Sequence, residues 1–395
     1  MATELGAARR RGVLGGSSWR IGRVSGIDIA IDQSWLLIFF LISMSIAAQL
    51  AASHSGSSAP ERWLTALVVA CAFFASIVLH ELGHSLVAQA LGIRVRSITL
   101  FLFGGVAQLE NEPRKPVHEI GIALAGPAVS FALGASFMAL AGLRDEASLT
   151  SAALAWLGRV NLALGLFNLA PGFPLDGGRV LRGVVWAITG SFQRATRVAA
   201  ASGAGIALLL MLAGVISVFA ARDLIGGLWL VFLGWFLLSA SRNAVGAMEV
   251  ERILGSVRVA DVLEPVRHAT VSPDASVGDV VTAQVLRSGL RTLWVVDPQT
   301  GRLLGIATLR ELANVPVERR AQTPVTAAMV PASSVASVSP SETALVGMQR
   351  LAAAGVNQLP VLEDGRLVGA LTRERLLGLL QAGLWLGAAR PASAA

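Results

Sequence analysis

Long apolar runs separated by short polar connections occupy the chain up to residue 241. A helix needs about 20 mostly apolar residues to cross the hydrocarbon core of a bilayer. Six runs come close to that length and are predicted as membrane spans: residues 34–52, 63–92, 117–143, 152–171, 197–220 and 224–241. The pattern therefore predicts a transmembrane helical bundle over residues 34–241, preceded by an N-terminal segment over residues 1–33.

Residues 98–110 (ITLFLFGGVAQLE) interrupt this pattern because they are apolar but too short to cross a membrane. The pair Gly104-Gly105 at their centre favours a tight turn, so the stretch is predicted to form a β-hairpin. Strand backbone is tolerated at membrane depth only where protein or water covers it. The periodicity alone leaves open whether the hairpin is membrane-associated or an ordinary cytoplasmic one.

The fourth span carries polar side chains and ends abruptly. Pro171 and Pro174 prevent a regular helix from continuing past its inner end. Asn161 and Asn168 share a helix face, which points either toward a site or toward a packed neighbour. Arg159 can extend its charged end outward to the membrane surface. A structural role is favoured for Arg159 and Asn161.

Beyond residue 242 the pattern changes to short strands, turns and helices, and it repeats. The matching stretches are VSPDASVGDV (271–280) with VSPSETALVG (338–347), LWVVD (293–297) with LPVLE (359–363), and GRLLGIATLREL (301–312) with GRLVGALTRERL (365–376). A repeat of about 60–67 residues in helix-strand-strand-helix order predicts a soluble α/β domain built from two copies. The predicted boundaries are a linker at 242–256, repeats at 257–315 and 324–381 within a domain at 257–383, and a tail at 384–395.

Composition agrees with a membrane protein that carries one soluble part. The chain is 54% hydrophobic and only 14% charged, against about 25% charged residues in a soluble domain. The net charge of +7 comes almost wholly from arginine, and no basic run interleaved with aromatics predicts a nucleic-acid partner. Cys71 is the only cysteine, which excludes disulfides and thiolate metal sites. The N-terminal segment has no apolar core and is not expected to be a cleaved signal peptide.

Arginine and lysine concentrate in alternate connections, and cytoplasmic loops are enriched in them. The N-terminal segment and the second and fourth connections carry Arg9, Arg10, Arg11, Arg20, Arg23, Arg94, Arg96, Arg114, Lys115, Arg179, Arg182, Arg194 and Arg197. The first, third and fifth connections carry only Arg62, Arg144 and Arg222. This alternation predicts six spans with both termini cytoplasmic. The protein is expected to be a multi-pass protein of a prokaryotic cell membrane.

The segment VLHELGHSLV, residues 78–87, places ionisable groups inside the second span. His80 and His84 are four residues apart, so on a helix both imidazoles lie on one face and can hold a metal. Glu81 can reach water there as a general base rather than a ligand. About 17 apolar residues precede His80, which places it roughly 25 Å into the membrane, near the cytoplasmic face. Histidines satisfied within the core are the disfavoured alternative, because ionisable groups are costly in hydrocarbon.

A catalytic zinc usually takes three protein ligands and leaves a fourth position for water, so the two histidines need a partner at the same depth. Asp176 fits best because it follows the inner end of the fourth span, in PLDGGR. Asp176 can also cap the next helix, and the two roles are compatible. Of the remaining histidines, His54 lies on the outer side, His118 at an interface and His268 in the soluble part.

HELGH in one span, followed by NLAPGFPLDGGR after another, resembles the site-2 protease family of intramembrane metalloproteases. The resemblance covers residues 20–240 and includes the glycine-centred hairpin and an Ala125-Gly126-Pro127 turn in the third span. It implies a membrane-embedded protease whose substrate is a single-pass transmembrane protein, of the kind of an anti-sigma-factor-like regulator. Its setting is the lipid bilayer, and its reaction is regulated intramembrane proteolysis.

The same resemblance implies roles for individual residues. One zinc ion per subunit would be bound by His80, His84 and Asp176, with Glu81 as the catalytic acid/base. Asn168 would donate to the substrate carbonyl or oxyanion. The hairpin residues would receive an unwound substrate segment as an added strand; they are Gly104, Gly105 and Val106.

The two C-terminal repeats resemble a pair of cystathionine-β-synthase (CBS) domains, which often bind an adenosyl nucleotide between repeats and often dimerise. The ribose-binding pattern G-x-x-T-x-x-D corresponds to Gly305 and Thr308, and again to Gly369 and Thr372. The final aspartate is missing from both repeats. A nucleotide at these residues and a purely structural or homodimerising role therefore both stay open.

Two function classes fit this organisation. The first is a zinc-dependent intramembrane endopeptidase regulated by its CBS pair. The second is a CBS-regulated membrane transporter or channel with a structural metal site. Ion paths usually need polar groups in several spans, often near broken helices at the midplane. Because the charges here concentrate at one inner-side cluster, the protease is the predicted function.

Overall fold

The computed structural model describes residues 10–11, 17–54, 56–101, 104–145, 148–266 and 269–388. The chain divides into two compact units, Met1–Val245 and Gly246–Ala395, each of which is described by itself. His268 lies outside the described residues, as do parts of the predicted N-terminal segment and of the predicted tail.

Seven helices form most of the first unit. They are α1 (Ser34–Ser53), α2 (Ala59–Ala90), α3 (Pro116–Gly142), α4 (Leu149–Asn168), α5 (Asp176–Thr189), α6 (Phe192–Phe219) and α7 (Leu224–Gly255). All except α5 are long and apolar enough to cross a membrane, which confirms the six predicted spans. Helix α7 continues past the predicted span end at residue 241 and covers most of the stretch predicted as a linker.

Helix α2 has a strong N-terminal start signal in the sequence. The Ser58 hydroxyl accepts a hydrogen bond from the backbone N–H of Glu61, and the Glu61 carboxylate accepts one from the backbone N–H of Ser58. This reciprocal capping satisfies two of the N–H groups that a helix start leaves unpaired. The 32 residues of α2 extend about 48 Å, so the helix is longer than the hydrocarbon core.

A five-stranded sheet joins the N-terminal segment to the predicted hairpin. Its order is β1 (Arg10–Arg11), β2 (Ser17–Val24), β3 (Ile27–Asp32), β4 (Val95–Phe101) and β5 (Gly104–Leu109). Because β5 is last in this order, it lies at one edge of the sheet. Neighbouring strands are antiparallel except β3 and β4, which are parallel. The hairpin of β4 and β5 agrees with the prediction, whereas strands β2 and β3 were not predicted.

The position predicted for the hairpin turn is wrong. Phe101 pairs with Gly104, so the glycine pair begins β5 and does not form the turn. The unpredicted turn between β2 and β3 is at Ser25-Gly26, where both residues have positive φ angles, 50° and 82°. Two such residues form the type of tight turn whose twist matches that of the flanking strands.

Small residues allow α3 and α4 to approach closely. A Cβ atom at Gly134 of α3 would lie 3.0 Å from the backbone nitrogen of Leu162, and one at Gly158 of α4 would lie 3.1 Å from the backbone nitrogen of Met138. Such contacts between backbones are the usual basis of helix packing in membranes.

Two polar residues of α4 have different surroundings: Asn161 is buried against another helix, and Arg159 is exposed. The buried Asn161 amide donates to the Leu157 carbonyl at 2.9 Å and to the Ser76 hydroxyl of α2 at 3.3 Å. Asn161 therefore links two spans, which is the structural role favoured from sequence. Arg159 on the same helix is exposed.

The second unit contains the two predicted repeats. Its strands are β6 (Thr270–Val271), β7 (Thr292–Val296), β8 (Leu303–Thr308), β9 (Val330–Pro331), β10 (Gln358–Glu363) and β11 (Arg366–Thr372). Its principal helices are α8 (Val277–Val280), α9 (Leu309–Ala313), α10 (Ala344–Ala354) and α11 (Arg373–Ala388). Equivalent Gly-Arg segments of the two repeats meet: Leu303 N–H donates to the Gly365 carbonyl and Leu367 N–H donates to the Gly301 carbonyl. The repeats are therefore related by approximate two-fold symmetry.

A buried ion pair ties the short helix α5 to α3. Glu119, in the first turn of α3, is 0% exposed and accepts a hydrogen bond of 2.6 Å from Nε of Arg182 on α5. The Nη2 atom of Arg182 contacts the same carboxylate oxygen. The guanidinium carbon lies 4.8 Å and 4.6 Å from the ring centroids of Phe173 and Phe192. Cation–π contacts and the ion pair together hold α5 in place.

We predict that Glu119→Gln strongly destabilises the protein, because it removes the buried counter-charge of Arg182 and leaves only the exposed Glu112, 4.0 Å from Nη1; breaking a buried ion pair in this way costs about 3–5 kcal/mol. The thermal unfolding midpoint of the purified protein in detergent should fall accordingly. The matched control is Glu110→Gln, which removes one partner of the exposed Arg96–Glu110 pair and should cost about 0–1 kcal/mol. Equal midpoints for the two variants would contradict the prediction.

Candidate metal centre

Two histidines of α2 and one aspartate of α5 meet inside the first unit. The Nε2 atoms of His80 and His84 are 3.2 Å apart, and each lies 3.2 Å from Oδ2 of Asp176. All three side chains are buried. Among the described residues, these three side chains form a group that could bind one metal ion. Its members, His80, His84 and Asp176, are the ligands predicted from sequence.

Helix α3 orients both imidazole rings from their other edge. Nδ1 of His84 lies 2.7 Å from the carbonyl oxygen of Ile122, which can only accept, so Nδ1 is the donor. Nδ1 of His80 lies 2.8 Å from the hydroxyl of Ser130, which is fully buried. When both rings are neutral and donate through Nδ1, each Nε2 presents a lone pair toward Asp176.

The donor set and the space around it fit zinc. Three lone pairs at this spacing repel one another unless a cation or a proton lies among them. Zinc–nitrogen bonds of about 2.0–2.1 Å in a tetrahedron separate neighbouring ligand atoms by roughly 3.3 Å, close to the 3.2 Å found here. Gly126 of α3 keeps the adjacent space open, because a Cβ atom there would overlap Nε2 of His84 and lie 2.6 Å from Nε2 of His80.

Asp176 is the first residue of α5 and is not its N-cap. The N-cap is Leu175, and its side chain makes no capping hydrogen bond, so the capping role considered for Asp176 is wrong by one position. Burial by itself raises the pKa of the Asp176 carboxyl. In the metal-free protein a ring that carries a proton on Nε2 donates it to this carboxylate, and such hydrogen bonds from His80 and His84 outweigh burial and lower the pKa to about 2. The carboxylate is therefore ionised at neutral pH, which is the state that binds metal.

A cavity of about 530 Å³ opens beside the three ligand atoms. Apolar residues of α1, α2 and α7 form much of its wall, and Arg179 of α5 contributes a charge. Every residue predicted for the protease site lines this cavity: His80, Glu81, His84, Gly104, Gly105, Val106, Asn168 and Asp176. The structure thus brings together residues from α2, β5, α4 and α5.

The Glu81 side chain packs directly against the start of β5. A Cβ atom at Gly105 would lie 2.5 Å from Cγ and 3.1 Å from Oε1 of Glu81. Glycine at position 105 allows this approach, whereas Gly104 has a positive φ of 129° and open space around it.

Sequence reasoning missed the contribution of α3 to the site. The Ala125-Gly126-Pro127 segment, interpreted as a turn, is continuous helix within α3, so that interpretation is wrong. Ile122, Gly126 and Ser130 are spaced four residues apart and therefore share the helix face that meets the histidines. This four-residue spacing is the feature of the sequence from which the contribution of α3 could have been predicted. His118, at the start of α3, and His54, after α1, take no part in the described metal group.

The four predicted nucleotide-site residues lie at equivalent positions of the two repeats. Gly305 and Thr308 belong to β8, and Gly369 and Thr372 belong to β11. Both threonines cap the following helix: Thr308 accepts from Arg310 N–H, and Thr372 accepts from Arg375 N–H.

The residue at the expected aspartate position of the first repeat is also engaged. Glu311 accepts hydrogen bonds from the hydroxyl and the backbone N–H of Thr308. The bond from the Thr308 hydroxyl is the main cause of a lowered pKa for the Glu311 carboxyl. Oε2 of Glu311 accepts both bonds.

The family model of peptidase family M50 matches residues 68–146 and 143–212, and the CBS domain model matches residues 259–318 and 327–382. A Mycobacterium tuberculosis protein provisionally named zinc metalloprotease Rip3 is 38% identical over 89% of this chain and 90% of its own length. A provisionally named zinc metalloprotease of Synechocystis is 33% identical over 92% of this chain and 95% of its own.

Among solved structures, a site-2 protease from Methanocaldococcus jannaschii is 30% identical, with a TM-score of 0.41 over 58% of this chain and 95% of that one. The alignments with the Mycobacterium tuberculosis and Synechocystis proteins cover about nine-tenths of this chain and therefore include both units. The chain therefore belongs to peptidase family M50, the site-2 protease type of zinc metalloprotease, and is a multi-pass membrane hydrolase that carries a CBS domain pair.

Proposed function

We propose that this protein is an intramembrane endopeptidase that cuts the membrane-spanning segment of single-pass proteins, with zinc held by His80, His84 and Asp176. One observation carries the proposal: three lone-pair atoms lie 3.2 Å from one another beside the Glu81 carboxylate, in a cavity lined by membrane-length helices. Family membership supplies the metal and the reaction class.

Glu81 is the proposed acid/base of the peptide hydrolysis. When bound, zinc supplies Lewis acidity that lowers the pKa of water toward about 7 and polarises a peptide carbonyl. Glu81 accepts the proton as the water oxygen attacks the carbonyl carbon. The same carboxyl group then passes the proton to the leaving amine nitrogen as the C–N bond breaks. Its position beside His80 and against Gly105 keeps it between the ligands and β5.

Asn168 and β5 are the proposed contacts for the substrate backbone. Asn168 ends α4 and lines the cavity, from where its amide can donate to the carbonyl that is attacked. Strand β5 is at the edge of the sheet, so an extended substrate segment can pair with Gly104, Gly105 and Val106. A helical substrate hides its carbonyls in hydrogen bonds and must therefore unwind locally before it binds.

The membrane orientation belongs to the same proposal. The excess of arginine in alternate connections supports cytoplasmic termini and a metal site near the inner face of the cell membrane. Water can reach a site at that depth more readily than one at the midplane, and the hydrolysis consumes one water molecule.

The CBS pair is proposed to regulate the protease, either by binding an adenosyl nucleotide or by joining two copies of the chain. The first repeat is the better nucleotide site, because Glu311 supplies a carboxylate where the second repeat has Arg375. Thr308 occupies one oxygen of that carboxylate, and the other can accept a ribose hydroxyl.

For the catalytic role, we expect Glu81→Gln to abolish cleavage while zinc content and thermal stability stay at the wild-type level. Removing a positioned acid/base costs on the order of 10²–10⁴ in rate. The measurement is mass spectrometry of membrane proteins from cells that express wild type, Glu81→Gln or the control Glu110→Gln. Fragments should appear with wild type and the control only. Identical fragment patterns in all three would reject the protease assignment, and ion flux without proteolysis would favour a transporter.

For the metal site, we expect Gly126→Ala to lose zinc, because the added methyl group would occupy space beside both Nε2 atoms. Zinc per purified chain, measured by atomic emission, should fall severalfold, and cleavage should fall with it. Gly121→Ala is the matched control on the same helix, since a Cβ atom there meets nothing within 4 Å. A fully zinc-loaded Gly126→Ala protein would show that the metal is bound elsewhere.

For the CBS pair, we expect AMP to raise the thermal unfolding midpoint of the full-length protein, as any ligand that binds only the folded state does. Arg375→Ala should retain this shift and Glu311→Ala should lose it. The shift is compared with and without AMP for each variant, so a general loss of stability does not affect the comparison. No shift in the wild-type protein would leave dimerisation as the role of the pair.

A further inference from the structure

Arg179 is a charged residue of the cavity to which the proposed chemistry assigns no role. It lies three residues after Asp176 on α5, so the two side chains leave the same face of the helix. Arg179 lines the cavity together with Glu81, and the two charges interact electrostatically. Its side chain is 19% exposed.

The neighbours of Arg179 leave its guanidinium largely unpaired. The nearest carboxylate oxygen is Oε1 of Glu119, 4.0 Å from Nε of Arg179. That oxygen already accepts a hydrogen bond from Nε of Arg182 and contacts its Nη2. Within the described residues, the Arg179 side chain makes no hydrogen bond, and its terminal nitrogens have no carboxylate within ion-pair distance. Glu119 is therefore held much more closely by Arg182 than by Arg179.

The charged groups near the cavity already have partners apart from Arg179. Arg182 has Glu119 and also Glu112, whose Oε2 lies 4.0 Å from Nη1 of Arg182. A zinc ion of charge +2 would balance Asp176 and Glu81, since both histidines bind as neutral rings. When Glu81 accepts the proton of water, its negative charge passes to the carbonyl oxygen of the peptide. A guanidinium at the cavity wall can stabilise the charge at that new position.

We propose that Arg179 is a further catalytic residue, whose guanidinium donates hydrogen bonds to the carbonyl oxygen of the scissile peptide as negative charge develops there. The inference rests on the proposed function, because it assumes that a peptide is hydrolysed at this site. Arg179 and Asn168 approach the cavity from α5 and α4, so the charged and the neutral donor can act on the same oxygen. Such donors stabilise the transition state more than the bound substrate.

The test uses full-length protein in detergent and a dye-labelled synthetic peptide with one membrane-spanning segment and a central Gly-Pro. Arg179→Gln should lower kcat by on the order of 100-fold, with KM within about twofold of wild type. Arg179→Lys should recover part of the loss because it restores the charge but not the planar fork. Arg159→Gln, which removes an exposed arginine from α4, should leave both constants unchanged.

Two measurements that do not depend on turnover separate this role from a structural one. Zinc content and the unfolding midpoint of Arg179→Gln should match wild type, unlike those of Glu119→Gln. A phosphinic peptide, whose anionic oxygen resembles the developing charge, should bind Arg179→Gln at least tenfold more weakly than wild type, whereas an uncharged ketone analogue should bind both equally.

The outcomes distinguish the two proposals. A wild-type protein that neither cleaves the peptide nor binds the phosphinic analogue overturns the proposed function itself. If wild type is active but Arg179→Gln loses zinc or stability, or weakens both analogues equally, Arg179 positions α5 and is not catalytic. An unchanged kcat in Arg179→Gln also overturns the inference while the proposed function stands.

Discussion

The convergence of three buried lone-pair atoms is the constraint on which the first unit depends. His80, His84 and Asp176 repel one another as ligands unless positive charge lies among them, so the scaffold must hold them together against that repulsion. Helix α3 does so through the Ile122 carbonyl and the Ser130 hydroxyl, which fix the two rings at their Nδ1 atoms. The ligand geometry is thus set by backbone and side-chain hydrogen bonds before any metal binds.

Glycines mark the places where other elements must approach this centre. Gly126 keeps α3 clear of the ligand atoms, and Gly105 lets β5 reach Glu81. Behind Asp176, a Cβ atom at Gly177 would overlap the Leu169 carbonyl, and one at Gly178 would overlap the backbone of Gly172. The Asp-Gly-Gly sequence therefore lets the start of α5 fold tightly under the end of α4, which brings the aspartate to the histidines.

Hydropathy and spacing predicted the six spans, the hairpin and the grouping of the histidines with Asp176, because membrane thickness and metal geometry restrict the possibilities severely. Strands β2 and β3 were not predicted because neither contains a long apolar run. Their signal is the alternation of apolar and polar residues on either side of Ser25-Gly26. The Gly104-Gly105 pair was predicted at the turn because glycine usually marks one, whereas here Gly105 makes room for Glu81 and Gly104 adopts a positive φ angle. The contact of Ser130 with His80 was not predicted, because Ser130 lies on another helix and the sequence around HELGH carries no sign of it.

Helix α5 is too short and too polar to cross a membrane, and its composition makes sense only as part of the site. Asp176, Arg179 and Arg182 follow one another at three-residue steps along one side of the helix. The first faces the histidines, the second faces the cavity and the third is held by Glu119 between two aromatic rings. Because the helix is rigid, the buried ion pair fixes the position of the aspartate two turns away. The anchoring Arg182, the cavity-lining Arg179 and the proposed ligand Asp176 thereby lie on one helix, so a displacement of α5 would displace all three.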